Sequence, residues 1–159
     1  MNPDLHPDLE SLAFLIGTWR GSGHGEYPTI ESFAYLEEVT IGHVGKPFLA
    51  YTQKTRDART NLPLHAETGY FRSDGPGRAE LVVAQPSGIV EIHTGLLKSH
   101  RLSLESVRVA TSPTAKEVTS VTRTIEVHGD TMHYRVAMAA VGQPLQHHLA
   151  ATLERVTPQ

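Results

Sequence analysis

The sequence predicts an all-β fold: a single closed antiparallel up-and-down barrel of about ten strands with a short N-terminal helix, spanning residues 1–159 as one domain. Three observations predict it. From Trp19 onward, runs rich in Val, Ile, Thr, Tyr and Phe are separated by clusters of Gly, Pro, Asp and Ser, the pattern of short strands and turns. The links between runs are short, so successive strands are antiparallel neighbours. Ten such strands in an open sheet would leave two long unpaired edges, and closing the sheet removes both.

The N-terminal element covers 7–16, with Asp8 as its expected N-cap and Leu9, Leu12, Ala13, Leu15 and Ile16 at helix-compatible spacings; it plugs one barrel end. Strands are predicted at 17–25, 30–43, 48–56, 64–73, 78–85, 89–98, 101–110, 116–128, 131–141 and 145–156. The breaks carry turn chemistry at Gly45-Lys46-Pro47, Asp74-Gly75-Pro76-Gly77, Pro86-Ser87-Gly88, Ser112-Pro113 and Gly129-Asp130. Trp19, the only tryptophan, reads as a core plug at one end of the first strand. Gly21, Gly23 and Gly25 share a face of that strand, where they permit curvature or the close approach of backbone or ligand. The segment Glu26-Tyr27-Pro28-Thr29 reads as a bend, with the Thr29 hydroxyl and N–H just past the proline.

Composition excludes several classes. A formal net charge of −3 gives no cationic field for nucleic acid or anionic membrane. The absence of cysteine removes disulfides, thiolate metal sites and cysteine nucleophiles. The longest apolar stretches, 12–16 and 136–141, fall far short of the roughly 20 residues that span a bilayer. The N-terminus, with Asp4, Asp8 and Glu10 before its apolar run, lacks the basic start of a secretory signal, so the expectation is a soluble cytoplasmic protein.

Ten histidines are the main chemical resource. No Ser, His and Asp set assembles into a triad from spacing, and no His-x-x-x-His helix is present. In the last strand, Leu145, Leu149, Ala151 and Leu153 form one apolar face by alternation. That sends His147 inward and leaves His148 beside Gln146, Thr152 and Glu154. His65, at the entry to the fourth strand, is either a pocket residue or a water-bonded strand start.

The motif Leu15-Ile16-Gly17-Thr18-Trp19-Arg20-Gly21-Ser22-Gly23 is followed by Gly25-Glu26-Tyr27-Pro28-Thr29-Ile30, Tyr35-Leu36-Glu37-Glu38 and Gly45-Lys46-Pro47-Phe48-Leu49. Further on stand His65-Ala66-Glu67-Thr68-Gly69-Tyr70-Phe71-Arg72, Thr114-Ala115-Lys116-Glu117, Met138-Ala139-Ala140-Val141-Gly142 and Pro144-Leu145-Gln146-His147-His148-Leu149. On these residues the chain resembles, over nearly its whole length, the nitrobindin family of haem-binding β-barrels, similar in shape to lipocalins and fatty-acid-binding proteins. The resemblance implies a haem b whose axial ligand is His148, the histidine immediately before the leucine of the last strand. This opposes the alternation reading, and the two agree only if a bulge after Pro144 reverses the facing of the histidines. His147 therefore stays as the alternative ligand.

By the same resemblance Thr29 and Lys116 meet haem propionates and His65 lies across the pocket. The implied activity is nitric oxide binding and isomerisation of peroxynitrite to nitrate, with iron carrying the chemistry and no protein nucleophile. An outward apolar face would leave room for a homodimer contact. Two other classes stay open: a lipocalin-like carrier of an apolar ligand, which needs a cavity without an iron ligand, and an interaction domain with a filled core.

Overall fold

A computed structural model, described over residues 3–157, has ten strands: β1 (Gly17–Tyr27), β2 (Ile30–Gly42), β3 (Leu49–Asp57), β4 (Pro63–Ser73), β5 (Arg78–Gln85), β6 (Ile89–Lys98), β7 (Arg101–Thr111), β8 (Val118–His128), β9 (Thr131–Ala140) and β10 (Gln146–Arg155). They form a closed antiparallel barrel in which every strand pairs with its neighbours in sequence and β1 also pairs with β10. The expected strand bounds hold to within two residues. Two differences touch the site. β1 runs on through Glu26 and Tyr27, so the expected bend shrinks to Pro28-Thr29, and Lys116 precedes β8 instead of opening it.

The N-terminal element is a 3-10 helix, Pro7–Leu15. Three residues per turn superimpose Leu9, Leu12 and Leu15 on one face, and all three are fully buried. Asp8 is not its cap. Pro7 takes the first helical position and has no N–H, so the first free donor belongs to Asp8, and the His6 Nδ1 accepts it at 3.3 Å.

Trp19 lies fully buried with these leucines, as its plug role requires, and joins them in one core cluster. Its Nε1–H donates to the Leu15 carbonyl at 2.9 Å, filling an acceptor that the helix end leaves open. The Arg155 guanidinium stacks 4.0 Å from the centre of the Trp19 ring and donates to the carbonyls of Phe14 and Ile16, so β10 ties down the plug.

Closure runs from Trp19↔Arg155 to Gly25↔Leu149. Along this seam, rings from β2 lie across β1. A Cβ on Gly23 would sit 2.4 Å from the Tyr35 ring, and one on Gly25 would sit 2.2 Å from the Phe33 ring. Glycine here makes room for two aromatic rings that roof the interior, so the close approach is by β2 side chains.

The plug should carry stability. Trp19→Ala is expected to cost about 3–5 kcal/mol and Leu12→Ala about 2–5 kcal/mol in urea unfolding, because both leave cavities in a filled end of the barrel. Leu62→Ala, at a largely exposed site, should cost far less. A loss at Leu62 as large as at Leu12 would contradict the plug account.

Candidate functional site

The site begins with a register fault in β10. His147 pairs with Ala137 of β9 and Leu149 pairs with Val136, so His148 is an extra residue without a partner of its own. This bulge reverses the alternation: His147 stands outside, 44 % exposed with its Nε2 4.0 Å from the Glu26 carboxylate, while His148 lines the interior. The alternation reading of His147 as the inward residue is thereby corrected. Leu145, expected on the inner face, precedes the strand and is exposed.

The bulge also holds the His148 ring. The β1–β10 ladder ends at Gly25↔Leu149, and beyond it the Glu26 carbonyl takes a hydrogen bond of 3.0 Å from His148 Nδ1. A carbonyl only accepts, so Nδ1 carries the proton and Nε2 keeps a lone pair. Nε2 has no protein partner among the described residues. Tyr27 packs edge-on against the same ring, with centroids 5.4 Å apart at 82°, and its hydroxyl accepts from Ala140 N–H at 2.9 Å and donates to Met138 O at 3.0 Å. Burial lowers the pKa of His148, with the rings of His147 and His65 adding to the effect against the Glu26 hydrogen bond. The imidazole is thus oriented, neutral and fixed in one tautomer, the state in which histidine coordinates a metal.

Below the ring opens a cavity of about 510 Å³, walled by Phe33, Ile125, Val136, Met138 and Leu149 among others. The volume falls within the range of about 300–1,000 Å³ usual for ligand pockets, and the interior is not a filled core. His65, half-buried, and Lys116, exposed, both line it, as do the exposed Ile30 and Leu64 that mark its mouth. Thr29 is not part of the lining; it sits exposed in the β1–β2 turn, next to Ile30.

Sequence reasoning missed the polar floor. Arg123 from β8 grips both Glu67 oxygens, at 2.6 and 3.1 Å, and donates to Glu91 at 2.8 Å. His93 Nε2 lies 2.8 Å from Glu91, and the Gln85 amide donates to Glu91 at 2.8 Å. Burial alone would raise both carboxyls, but the guanidinium, with hydrogen bonds from its neighbours, holds Glu67 well below the usual carboxylate range and lowers Glu91. Glu37 is different. It is 5 % exposed and receives hydrogen bonds from Tyr134 at 2.5 Å and Gln53 at 2.9 Å, but no cation among the described residues touches it. Burial raises it to about 7, against the lowering effect of those hydrogen bonds. One signal could have revealed the floor: each of Glu37, Gln53, Glu67, Glu91 and Arg123 occupies the inward phase of its strand, where alternation calls for an apolar residue.

Residues 8–155 match the family model described as THAP4-like, heme-binding beta-barrel domain. The chain is 59% identical to a protein named peroxynitrite isomerase 2 from Mycobacterium avium, over 98% of this chain and 99% of that one. It is 54% identical to a peroxynitrite isomerase from Nocardia farcinica, over 95% of this chain and 92% of that one. Among solved structures, the crystal structure of Rv2717c from M. tuberculosis superimposes with a TM-score of 0.91 at 50% identity, covering 97% of this chain and 100% of that one. An S-type phycobiliprotein lyase from Guillardia theta shares the fold alone, with a TM-score of 0.64 at 9% identity over 92% and 90% of the two chains.

The floor makes a pH prediction. Glu37, raised from 4.5 to about 7, gives the folded chain an extra proton between those values. Its contribution to stability is therefore complete below about pH 4.5 and lost as pH rises through about 7, a change on the order of 3 kcal/mol. The lowered Glu67 acts in the other direction, with a contribution present above about pH 4.5 and lost in stronger acid. Urea unfolding of Glu37→Gln should lack the decline between pH 4.5 and 7 and keep the acid loss. Taking the difference from the wild type removes the opposite-signed effect of the lowered His148. An unchanged decline in the variant would show that Glu37 is not its source.

Proposed function

This chain belongs to the THAP4-like, haem-binding β-barrel family, and we propose that it is a haem-dependent peroxynitrite isomerase in which His148 is the axial ligand of one haem b. The observation that carries the assignment of His148 is its Nδ1 bond to the Glu26 carbonyl, which leaves Nε2 free at the wall of a 510 Å³ cavity. The residues present fit the group: a neutral nitrogen donor, apolar walls for the macrocycle, and a mouth with a cation at its rim.

A haem held there would supply an iron able to act as electrophile toward peroxynitrite or nitric oxide. The chain's part is to place and shield. Phe33, Val136, Met138 and Leu149 give the cavity apolar walls that would exclude bulk water from a bound macrocycle. Lys116, which lines the cavity, and Thr29, in the turn next to the lining residue Ile30, would be the partners for the propionates. His65 lines the cavity with its Nε2 3.6 Å from Glu67, and its ring would be available to a ligand bound there. We read 1–159 as one cytoplasmic domain acting on peroxynitrite and nitric oxide. The outward apolar row Tyr70, Val82 and Ile92, in register across β4, β5 and β6, is the face it would bury in a homodimer.

Haem titration followed at the Soret band tests the ligand. His148→Ala should lose the histidine-type spectrum and His147→Ala should retain it; the reverse result would reassign the ligand. Loading should fall in a window below about pH 6.5, since coordination needs a neutral ring and burial moves the His148 titration downward. Thr29→Ala should weaken haem retention by about 1 kcal/mol through a lost hydrogen bond, with the rate per bound haem unchanged.

Stopped-flow decay tests the activity. The ferric holoprotein should speed peroxynitrite loss and raise the nitrate yield, while the apoprotein and His148→Ala do neither. A holoprotein that performs no better than free haem would refute the isomerase reading and leave only haem or nitric oxide binding.

A further inference from the structure

We infer that Tyr134, held against Glu37 and backed by Tyr35, is the interior's one-electron donor, which intercepts nitrogen dioxide set free when the O–O bond of peroxynitrite breaks in the cavity and the fragments do not rejoin as nitrate. The inference rests on the isomerase reading for the source of the nitrogen dioxide and on the cavity floor for everything else.

The geometry is a directed chain. The Tyr134 hydroxyl donates to Glu37 Oε2 at 2.5 Å, so the Tyr35 hydroxyl, 2.7 Å away, must give its own proton to the Tyr134 oxygen. Both rings line the cavity, one step deeper than His148: Tyr134 lies opposite Ala151 of β10 and Tyr35 opposite Gly23 of β1, two residues past the Gly25↔Leu149 pair. The missing side chain at Gly23 gives the Tyr35 ring its position.

A phenol that loses an electron must also lose its proton, so the group on its hydroxyl decides whether it can be oxidised. In the step proposed, Tyr134 gives one electron to nitrogen dioxide, which leaves as nitrite. The phenolic O–H bond breaks and the proton passes to Glu37 Oε2, turning the carboxylate into a neutral carboxyl. The phenoxyl radical stays on Tyr134 with the Tyr35 hydrogen bond on its oxygen. A second nitrogen dioxide adds to the ring, and the displaced ring hydrogen moves to the phenol oxygen, giving 3-nitrotyrosine.

Tyr51 provides an internal comparison. It too donates to a buried carboxylate, Glu67 Oε1 at 2.7 Å, and it too lines the cavity. Its acceptor is clamped by Arg123, which holds Glu67 as the anion and gives it little appetite for a proton. Glu37 has no such clamp, and burial makes it a far better base. Tyr27 donates to a backbone carbonyl that cannot take its proton, and Tyr70 is on the outer surface. Of the five tyrosines, only Tyr134 joins a cavity position to a buried carboxylate that Arg123 does not grip.

The test is substoichiometric peroxynitrite added to the ferric holoprotein at about pH 8, where Glu37 is ionised. Freeze-quench EPR reads the radical, peptide mapping reads nitrated tyrosine, and nitrate is measured in the same samples. We expect a tyrosyl signal, with nitration at Tyr134, or at Tyr35 by hydrogen transfer, several-fold above Tyr51. Tyr134→Phe should abolish the signal or move it to Tyr35. Glu37→Gln should reduce it several-fold with the Soret spectrum unchanged, because an amide accepts the hydrogen bond but not the proton. Equal nitration of Tyr51 and Tyr134 in the wild type would overturn the inference, whether or not the variants fold. So would an undiminished signal in a folded Glu37→Gln, or a wild type with no nitrated cavity tyrosine. Raised nitrate without reaction at Tyr134 removes the donor and keeps the isomerase, whereas nitrated Tyr134 without raised nitrate does the opposite.

Discussion

Pairing of β1 with β10 places the whole chain under one constraint, because once the sheet closes every second residue of ten strands must share a single interior. Ten strands enclose more volume than their own side chains fill. The 3-10 helix and Trp19 close one end, and Arg155 locks that plug to the last strand. The space that remains is displaced toward the opposite mouth, and that is where the chain's reactive groups are found. The seam itself requires Gly23 and Gly25, since the rings of Tyr35 and Phe33 already occupy the place of their side chains.

At the mouth end the same seam is deliberately imperfect. One extra residue in β10 stops the ladder with β1 and leaves the Glu26 carbonyl to the His148 ring. A bulge normally weakens a sheet locally by leaving one residue unpaired. Here the unpaired residue becomes the cavity-facing one, and the backbone acceptor it exposes orients the imidazole. Tyr27 completes the support through its edge contact and its two hydrogen bonds to β9.

The floor shows how the barrel treats buried charge. Three carboxyls and one guanidinium face inward, and the guanidinium is shared by only two of the carboxyls. Desolvating an unpaired charge is costly, so Glu37 holds its proton far more readily than Glu67 a few residues away in space. Two carboxylates with different proton affinities, each bonded to a tyrosine, stand in one cavity. That contrast comes from where Arg123 reaches, and both halves of it face the one cavity.

The sequence by itself determined the architecture: strand length, alternation and turn residues are local properties, and they placed ten strands, the closing of the sheet and Trp19 at the plug. It also identified the family, through motifs strung along the whole chain. What it could not decide by alternation was which of two adjacent histidines faces inward, because a period of two carries the wrong answer past a bulge, and a bulge is a relation between β10 and its neighbours. Asp8 failed as a cap for a comparable reason, since Pro7 moved the first free N–H. The polar floor stayed hidden although each of its members broke the apolar phase of its own strand. Only closure brings Glu37, Glu67, Glu91, Arg123 and Tyr134 from five strands to one place, and only there does one guanidinium choose which carboxylates it neutralises.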